Sequence, residues 1–380
     1  MSKFTFCAPC LMGVESIASG EFTRLGFENV HNEDGRVYFD GDERTLARAN
    51  LNSRYTERIL IRLASFPAPD FDALYDGVRA VDWENYIAPD AQFPVRGHSI
   101  RSKLSSVPAC QSIVKKAIAD RLMAKRHVSW LDESGVRMQV QFELLRDRAE
   151  IYLDTTGPSL HKRGWRPEGG TAPLRETLAA AMVDLSRFRG DMTFYDPFCG
   201  SGTIAIEAAT KALRRAPGVL RRFDAISFPF IAKSVWRDAY EEAQGLPQPS
   251  PATVFASDID PKMVALARAN ARRAGVEDFI HFSVADAAAR GYSAGRGVIV
   301  TNPPYGERLG DVEQARAIYK NLGRALNPLG ERSLYLITPD ETFERCFGAR
   351  AARKRWLYNG MIKCSLYMYF PQRPKKQRIE

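Results

Sequence analysis

From about Leu160 onward, short apolar runs alternate with longer helix-length segments, and this alternation constrains the fold more than any other feature of the chain. Residues 192–195, 253–256, 280–284, 298–301 and 333–337 read as strands because they are brief, apolar and rich in β-branched or aromatic residues. Residues 203–213, 261–274 and 312–326 lie between several of them and carry apolar residues at helical spacing. Strand, helix and next strand pack stably when the strands run parallel and the helices cover the faces. The expectation is therefore an α/β fold of the doubly wound, Rossmann-like kind. Asn359-Gly360 separates apolar runs at 355–358 and 361–370, a strong type I′ turn signal, so the sheet is predicted to close with an antiparallel C-terminal hairpin. Residues 214–251 are rich in Arg, Pro and aromatics and read as an insertion with its own helix near 234–244.

A parallel sheet binds ligands at the C-terminal ends of its strands, so the residues there carry the chemistry. Tyr195-Asp196-Pro197-Phe198-Cys199-Gly200-Ser201-Gly202-Thr203 takes a strand end through a Gly-rich turn into an apolar helix. Glycines let the backbone approach a ligand, and the helix N-terminus offers free N–H groups. Gly200-x-Gly202-x-x-Ala205 also fits a dinucleotide fingerprint, but that motif expects an acid roughly 20 residues on. Asp258, the next acid at a strand end, lies 56 residues beyond Gly202, although the insertion would account for the gap. Asp196 suits an α-amino group, Asp258 the two hydroxyls of a ribose, and Asp286 an adenine amino group. Each alone is more often a cap or turn residue; in order at successive strand ends, they match S-adenosylmethionine.

A second constellation, Thr301-Asn302-Pro303-Pro304-Tyr305-Gly306, follows the apolar strand directly. Consecutive prolines stiffen the turn and remove two backbone donors, leaving carbonyl oxygens to face a ligand. The Asn302 side-chain oxygen and a proline carbonyl are acceptors suited to the two hydrogens of an exocyclic amino group, and Tyr305 offers a flat face for a base. Asn302, Pro303, Pro304 and Tyr305 are the candidate catalytic residues.

Residues 196–203 and 302–305 resemble the cofactor and catalytic motifs of class I amino-methyltransferases that act on nucleobases. His161-Lys162-Arg163-Gly164-Trp165-Arg166, Ala172-Pro173-Leu174-Arg175-Glu176-Thr177-Leu178, residues 302–309 and residues 357–364 resemble the bacterial THUMP-domain RNA methyltransferases that make N2-methylguanosine in large-subunit (23S) ribosomal RNA. The resemblance implies a ferredoxin-like domain at 1–62, a THUMP RNA-binding domain at 63–158 and a methyltransferase domain at 159–380. It implies S-adenosyl-L-methionine as cofactor, held by Asp196, Phe198, Cys199, Gly200, Gly202, Thr203, Asp258, Ile259, Asp286 and Asn302. Some relatives fuse a second methyltransferase domain, whereas a single one is expected here, which leaves the modified nucleotide open. A tRNA guanine, a DNA adenine and a non-catalytic role in ribosome assembly remain as alternatives.

The N-terminal part carries weaker signals. Strands are expected at 4–8, 36–39 and 91–95, helices at 13–25, 42–51 and 107–125, and a strand pair at 136–144 and 149–154. The net charge of +9 is uneven: residues 1–100 sum to −5, 101–158 to +3 and 159–380 to +11. Cations crowd residues 101–126 against the single acid Asp120, which reads either as a solvated helix face or as a phosphate-contacting one. Arg101, Lys103, Lys115 and Lys116 are the RNA candidates there, and Arg163 and Trp165 are candidates ahead of the catalytic domain; for those two a linker clasped onto the sheet is the competing reading. The six cysteines form no regular framework, and the Cys7-x-x-Cys10 pair lacks a matching partner pair, so buried thiols in a reducing, cytoplasmic setting are expected, with neither metal nor membrane.

Overall fold

The computed structural model describes residues 3–167, 174–292, 295–305, 309–326 and 329–371. In chain order the elements are β1 (Phe4–Pro9), α1 (Glu15–Arg24), β2 (Glu28–Glu33), β3 (Arg36–Gly41), α2 (Glu43–Asn52), β4 (Leu60–Pro67), α3 (Phe71–Arg79), β5 (Val95–Ile100), α4 (Val107–Arg126), β6 (Val140–Leu145) and β7 (Arg148–Asp154). There follow α5 (Glu176–Leu185), β8 (Thr193–Asp196), α6 (Thr203–Ala212), α7 (Lys233–Gly245), β9 (Val254–Asp258), α8 (Pro261–Ala274), β10 (Ile280–Val284), β11 (Gly297–Thr301), α9 (Leu309–Leu326), β12 (Arg332–Thr338), α10 (Phe343–Phe347), β13 (Arg353–Asn359) and β14 (Ile362–Tyr369). They form two compact units, one of Met1–Cys10, Ala18–Leu160 and Arg221–Gly245, the other of Leu11–Ile17, His161–Leu220 and Leu246–Glu380.

The first unit is built on one seven-stranded sheet, β2-β3-β1-β4-β7-β6-β5. The expected boundary at residue 62 falls inside β4, which pairs with β1 on one side and β7 on the other. A buried polar node supports this continuity. Asn50 on α2 donates to Thr155 Oγ1 (2.9 Å) and accepts from Thr156 Oγ1 (2.8 Å), just beyond β7. The inserted segment belongs here too, where Glu242 on α7 pairs with Arg48 on α2 at 3.0 Å. One strand departs from expectation. The strand expected at 91–95 is displaced: residues 91–94 form only an isolated bridge at Gln92, and β5 begins at Val95, after Pro94, and runs through the polar sequence VRGHSI at the sheet edge with alternating partial exposure. Proline cannot donate into a ladder, and an edge strand need not be apolar, so the apolar run pointed one step too early.

The second unit holds the other seven-stranded sheet, β10-β9-β8-β11-β12-β14-β13, parallel except for the antiparallel pairing of β14 with β12 and β13. This is the doubly wound order with its closing hairpin. Local signals set the element limits. In α8, Asp260 caps the first turn by accepting from the Lys262 N–H, Pro261 occupies the first helical position, and Gly275 ends the helix at φ +68°, each placed where its backbone preference fits. Tyr195, Ile299, Leu334 and Leu336 from the strands pack with Tyr319, Leu322 and Phe343 from the helices. The strand order reverses between β8 and β11, which opens a crevice at their C-terminal ends. No helix among the described residues is long and apolar enough to cross a membrane. Cys7 is buried and Cys10 half-buried; burial pushes the Cys7 thiol up to about 12, so it is inert at neutral pH.

Candidate active site

Asp196 ends β8 at the reversal point and is 1% exposed. Its Oδ1 accepts from the Thr301 hydroxyl at 3.2 Å, while its Oδ2 is buried with no hydrogen-bond partner. Burial, reinforced by the charge of Asp258, pushes its carboxyl up to about 7. An unpartnered buried carboxylate oxygen is costly and is relieved by a cation brought to it.

The loop after Asp196 is pinned from three sides. The Cys199 N–H donates to the Ser257 carbonyl (2.9 Å), the Gly200 N–H to Asp258 Oδ2 (2.9 Å), and Asn270 Nδ2 on α8 to the Ser201 carbonyl (2.9 Å). The two glycines answer different demands. At Gly202, φ is +88° and a Cβ would stand 3.0 Å from that of Ala267, so any side chain would drive the loop off α8. At Gly200, φ is +48° and a Cβ would meet nothing within 4 Å, which leaves a bare backbone facing open space. That space is a cleft of about 470 Å³ whose walls include Arg166, Asp196, Phe198, Gly200, Asn270 and Asn302. Cys199 and Thr203 also border it, the Cys199 thiol being raised by burial.

Asp196 and Asn302, 106 residues apart in sequence, thus share one cleft. Asp258, Ile259 and Asp286 stand at the ends of the neighbouring strands β9 and β10 rather than in its wall. Asp258 accepts the N–H groups of Gly200 and Asp260, one per oxygen, and a carboxylate retains further lone pairs for hydroxyl donors. Ile259 is 71% exposed, and exposed Asp286 accepts from the Ala288 N–H at 2.8 Å. In the second motif, Asn302 and Tyr305 are half-buried, Pro303 is buried and Pro304 exposed; Gly306 lies outside the described residues. The turn is anchored from below, because the Tyr319 hydroxyl on α9 donates to the Pro304 carbonyl at 3.1 Å and lies 3.1 Å from the Thr338 hydroxyl oxygen.

Arg166, Asn270, Arg290 and Tyr319 were not singled out as site residues from sequence. Arg166 reaches Glu176 Oε1 (3.2 Å) and Thr203 Oγ1 (2.6 Å), and its Nε is buried with no hydrogen-bond partner. Arg290 sits 5.3 Å from the ring centres of both Tyr195 and Tyr292 and donates to Ser257 Oγ, bracing the ends of β8 and β9. The one available signal was Arg166's place in the basic-aromatic run 161–166; the others are ordinary helix or loop residues until folded. Ala172 and Pro173 lie outside the described residues.

The RNA candidates divide. Arg163 is not presented to solvent: it is buried and paired with Glu207 at 3.1 Å, each side chain 2% exposed. Trp165 is 3% exposed with the Arg166 guanidinium 4.9 Å from its ring. Both are therefore buried within the second unit, as the clasped-linker reading has it, correcting the expectation that they touch RNA. Lys115 lies against the Phe93 ring and donates to both carboxylate oxygens of Glu133 at 2.6 Å. Arg121 on the same helix is held by Asp82 and Glu84. Arg101, Lys103 and Lys116 are exposed. The basic run of 101–126 thus offers fewer outward charges than its composition implies. Among the described residues no cluster of three or more His, Cys, Asp or Glu is placed to hold a metal ion.

Residues 163–368 match the family model described as the RMKL-like methyltransferase domain, residues 5–60 the RlmL ferredoxin-like domain and residues 68–154 the THUMP domain. The chain is 43% identical over its whole length to the "Putative RNA methyltransferase YpsC" of Bacillus subtilis, also matched over its whole length. It is 36% identical to the ribosomal RNA large subunit methyltransferase K/L of Methylococcus capsulatus, covering 96% of this chain but 51% of that protein, so it spans about half of such relatives. Among solved structures it resembles a "predicted N6-adenine-specific DNA methylase" from Listeria monocytogenes (TM-score 0.92, 41% identity, 98% of this chain and 97% of that one). It equally resembles SMU.472, a "putative methyltransferase complexed with SAH" (TM-score 0.92, 39% identity, 99% and 100%).

Proposed function

The chain belongs to the RMKL-like methyltransferase family, and from that premise we propose that it transfers a methyl group from S-adenosylmethionine to the exocyclic N2 of a guanine in 23S ribosomal RNA. The observation that carries this reading is the shared cleft, with an unpartnered buried carboxylate oxygen on Asp196 and the Asn302 turn on one wall. S-adenosylmethionine supplies an electrophilic methyl on a sulfonium. Asp196 Oδ2 holds its α-ammonium, and the unpartnered Nε of Arg166 faces its carboxylate; Asp258 takes the ribose hydroxyls, and Ile259 with Asp286 takes the adenine. The bare backbone at Gly200 lets the chain of the methionine pass close.

Guanine N2 is a weak nucleophile because its lone pair is delocalised into the ring. The Asn302 side-chain oxygen and the Pro303 carbonyl accept its two N–H bonds, which lets the nitrogen pyramidalise and aims the lone pair at the methyl. Catalysis is then mainly orientation of two bound reactants. A base inside a duplex cannot reach a cleft at a sheet edge, so the guanine is presented from a loop or flipped out, with Tyr305 as its stacking face. Unmodified rRNA, tRNA and DNA offered separately with labelled S-adenosylmethionine, followed by nucleoside analysis, test the substrate: label is expected in N2-methylguanosine of rRNA, and label confined to tRNA or DNA overturns the choice. Asn302→Ala is expected to retain cofactor affinity while kcat falls by orders of magnitude. Turnover within about threefold of the parent, a difference under 1 kcal/mol, would remove Asn302 from the mechanism.

A further inference from the structure

A second cleft, of about 900 Å³, opens on the catalytic sheet away from the methyl-transfer edge. It is bordered by Gly297 and Val298 at the start of β11, by Ser333 and Tyr335 on β12, by Arg353 and Arg355 on β13, and by Arg187 just beyond α5. The sheet explains why it exists. Leu334 and Leu336 turn to the helices α9 and α10, so their neighbours Ser333 and Tyr335 point to the opposite face. Across that face Arg353, Met368 and Tyr335 are in register; Tyr335 and Met368 are buried, the end of α5 borders the cleft beside them, and Arg353 stands exposed at the edge.

The charge in this cleft is one-sided. Arg296 pairs with Asp191 at 4.0 Å and Lys354 pairs with Glu344. Arg187, Arg353 and Arg355 make no ion pair among the described residues, and Glu331 is the acid on the wall. Arg187, Arg353 and Tyr335 border the one cleft, where burial raises the Tyr335 phenol against the opposing charges of the two guanidiniums. Phe370, 41% exposed, meets Tyr335 edge-on at 6.1 Å and supplies an aromatic face beside them. Three unpaired guanidiniums on an open, partly aromatic surface complement a sugar-phosphate chain, which offers regularly spaced anions and bases to stack. From Gly297 to Asn302 the sheet rises roughly 16 Å, a distance one RNA strand spans in a few nucleotides.

We propose that this cleft is a second RNA contact, in which Arg187, Arg353 and Arg355 grip the phosphate backbone of the molecule whose base enters the catalytic cleft. The proposal rests on the RNA reading above. The test compares the full chain with the variant Arg187→Gln/Arg353→Gln/Arg355→Gln, by anisotropy of a labelled rRNA fragment over a range of salt concentrations. The variant is expected to bind at least about tenfold more weakly near 100 mM salt, with a log–log salt slope shallower by about 2, at roughly 0.7 per lost phosphate contact on a single strand. Its S-adenosylmethionine affinity and melting temperature should match the parent, and Arg→Lys at the same three positions should restore most of the slope. Parental affinity and slope in the Gln variant overturn the proposal, as does weaker binding with an unchanged slope. Binding is read without turnover, so a chain that grips RNA through these arginines yet methylates tRNA or DNA instead would overturn the substrate choice and leave the cleft assignment standing.

Discussion

Asp196 shows how a single residue can be set against the stability of its own fold. Its carboxyl is pushed up to about 7 by burial and by Asp258, well above the roughly 3.9 of an exposed Asp. A raised folded-state value means that Asp196 favours the folded apo chain fully below about pH 4 and withdraws that contribution as the pH rises through about 7. Asp196→Asn should therefore melt several degrees above the parent at pH 8 without cofactor, and the gain should shrink as the pH falls below about 7 and vanish only below about pH 4, where the parent side chain is neutral in the folded and unfolded states alike. Calorimetry should show the same variant losing S-adenosylmethionine binding by about a hundredfold or more; equal melting at pH 8 would show that the buried charge is not the strain it looks. Arg163 teaches the converse. In the sequence it is a cation in a basic-aromatic run, and in the fold it is 2% exposed against Glu207. Residue type and local spacing do not distinguish a buried ion pair from a ligand for phosphate.

At the scale of elements, the Asn302 turn depends on a helix that contributes nothing to its sequence motif. Two prolines stiffen the turn, but its height above the sheet is set by the Tyr319 hydroxyl, which bonds the Pro304 carbonyl. Burial holds that phenol up to about 12, so it remains a proton donor at every working pH. Tyr319→Phe removes the hydroxyl's contacts with both the Pro304 carbonyl and the Thr338 hydroxyl, each neutral hydrogen bond being worth about 1 kcal/mol. The expected result is a five- to tenfold fall in kcat with cofactor affinity unchanged and stability lowered by about 1–2 kcal/mol. A proportional loss of cofactor affinity would place Tyr319's influence in the binding loop instead. The elements themselves were largely legible: α8 spans 261–274 and β10 spans 280–284 as expected, because capping residues and β-branched runs act locally. Elements β2 (ENVHNE), β4 and α3 were not anticipated; β2 is mostly exposed and polar and takes its place by pairing with β3.

At the scale of the whole molecule, sequence and structure divide the N-terminal half differently. The matched domain models separate segments near residue 62, whereas the sheet runs through that point as β4 between β1 and β7. A fragment of residues 1–62 should consequently be unfolded by circular dichroism and amide-exchange NMR; native-like exchange protection in it would show that β1–β3 suffice without the pairing of β4 to β7. The node at Asn50 offers a milder probe, since Asn50→Ala leaves Thr155 and Thr156 short of buried partners and should cost about 1–3 kcal/mol in a denaturant midpoint. The amino-acid sequence by itself determined the doubly wound sheet, the loop of Gly200 and Gly202, the aspartates at successive strand ends and the Asn302 turn, because periodicity, turn chemistry and strand ends are properties of neighbouring residues. Only the tertiary structure decided that Arg166 and Asn270 line the same cleft as Asp196 and Asn302, that Lys115 and Arg163 are occupied by carboxylates, and that three arginines from α5's end and β13 border a second cleft. Each of those is a contact between residues distant in the chain, and which distant groups meet is settled by how the strands pair and the helices pack.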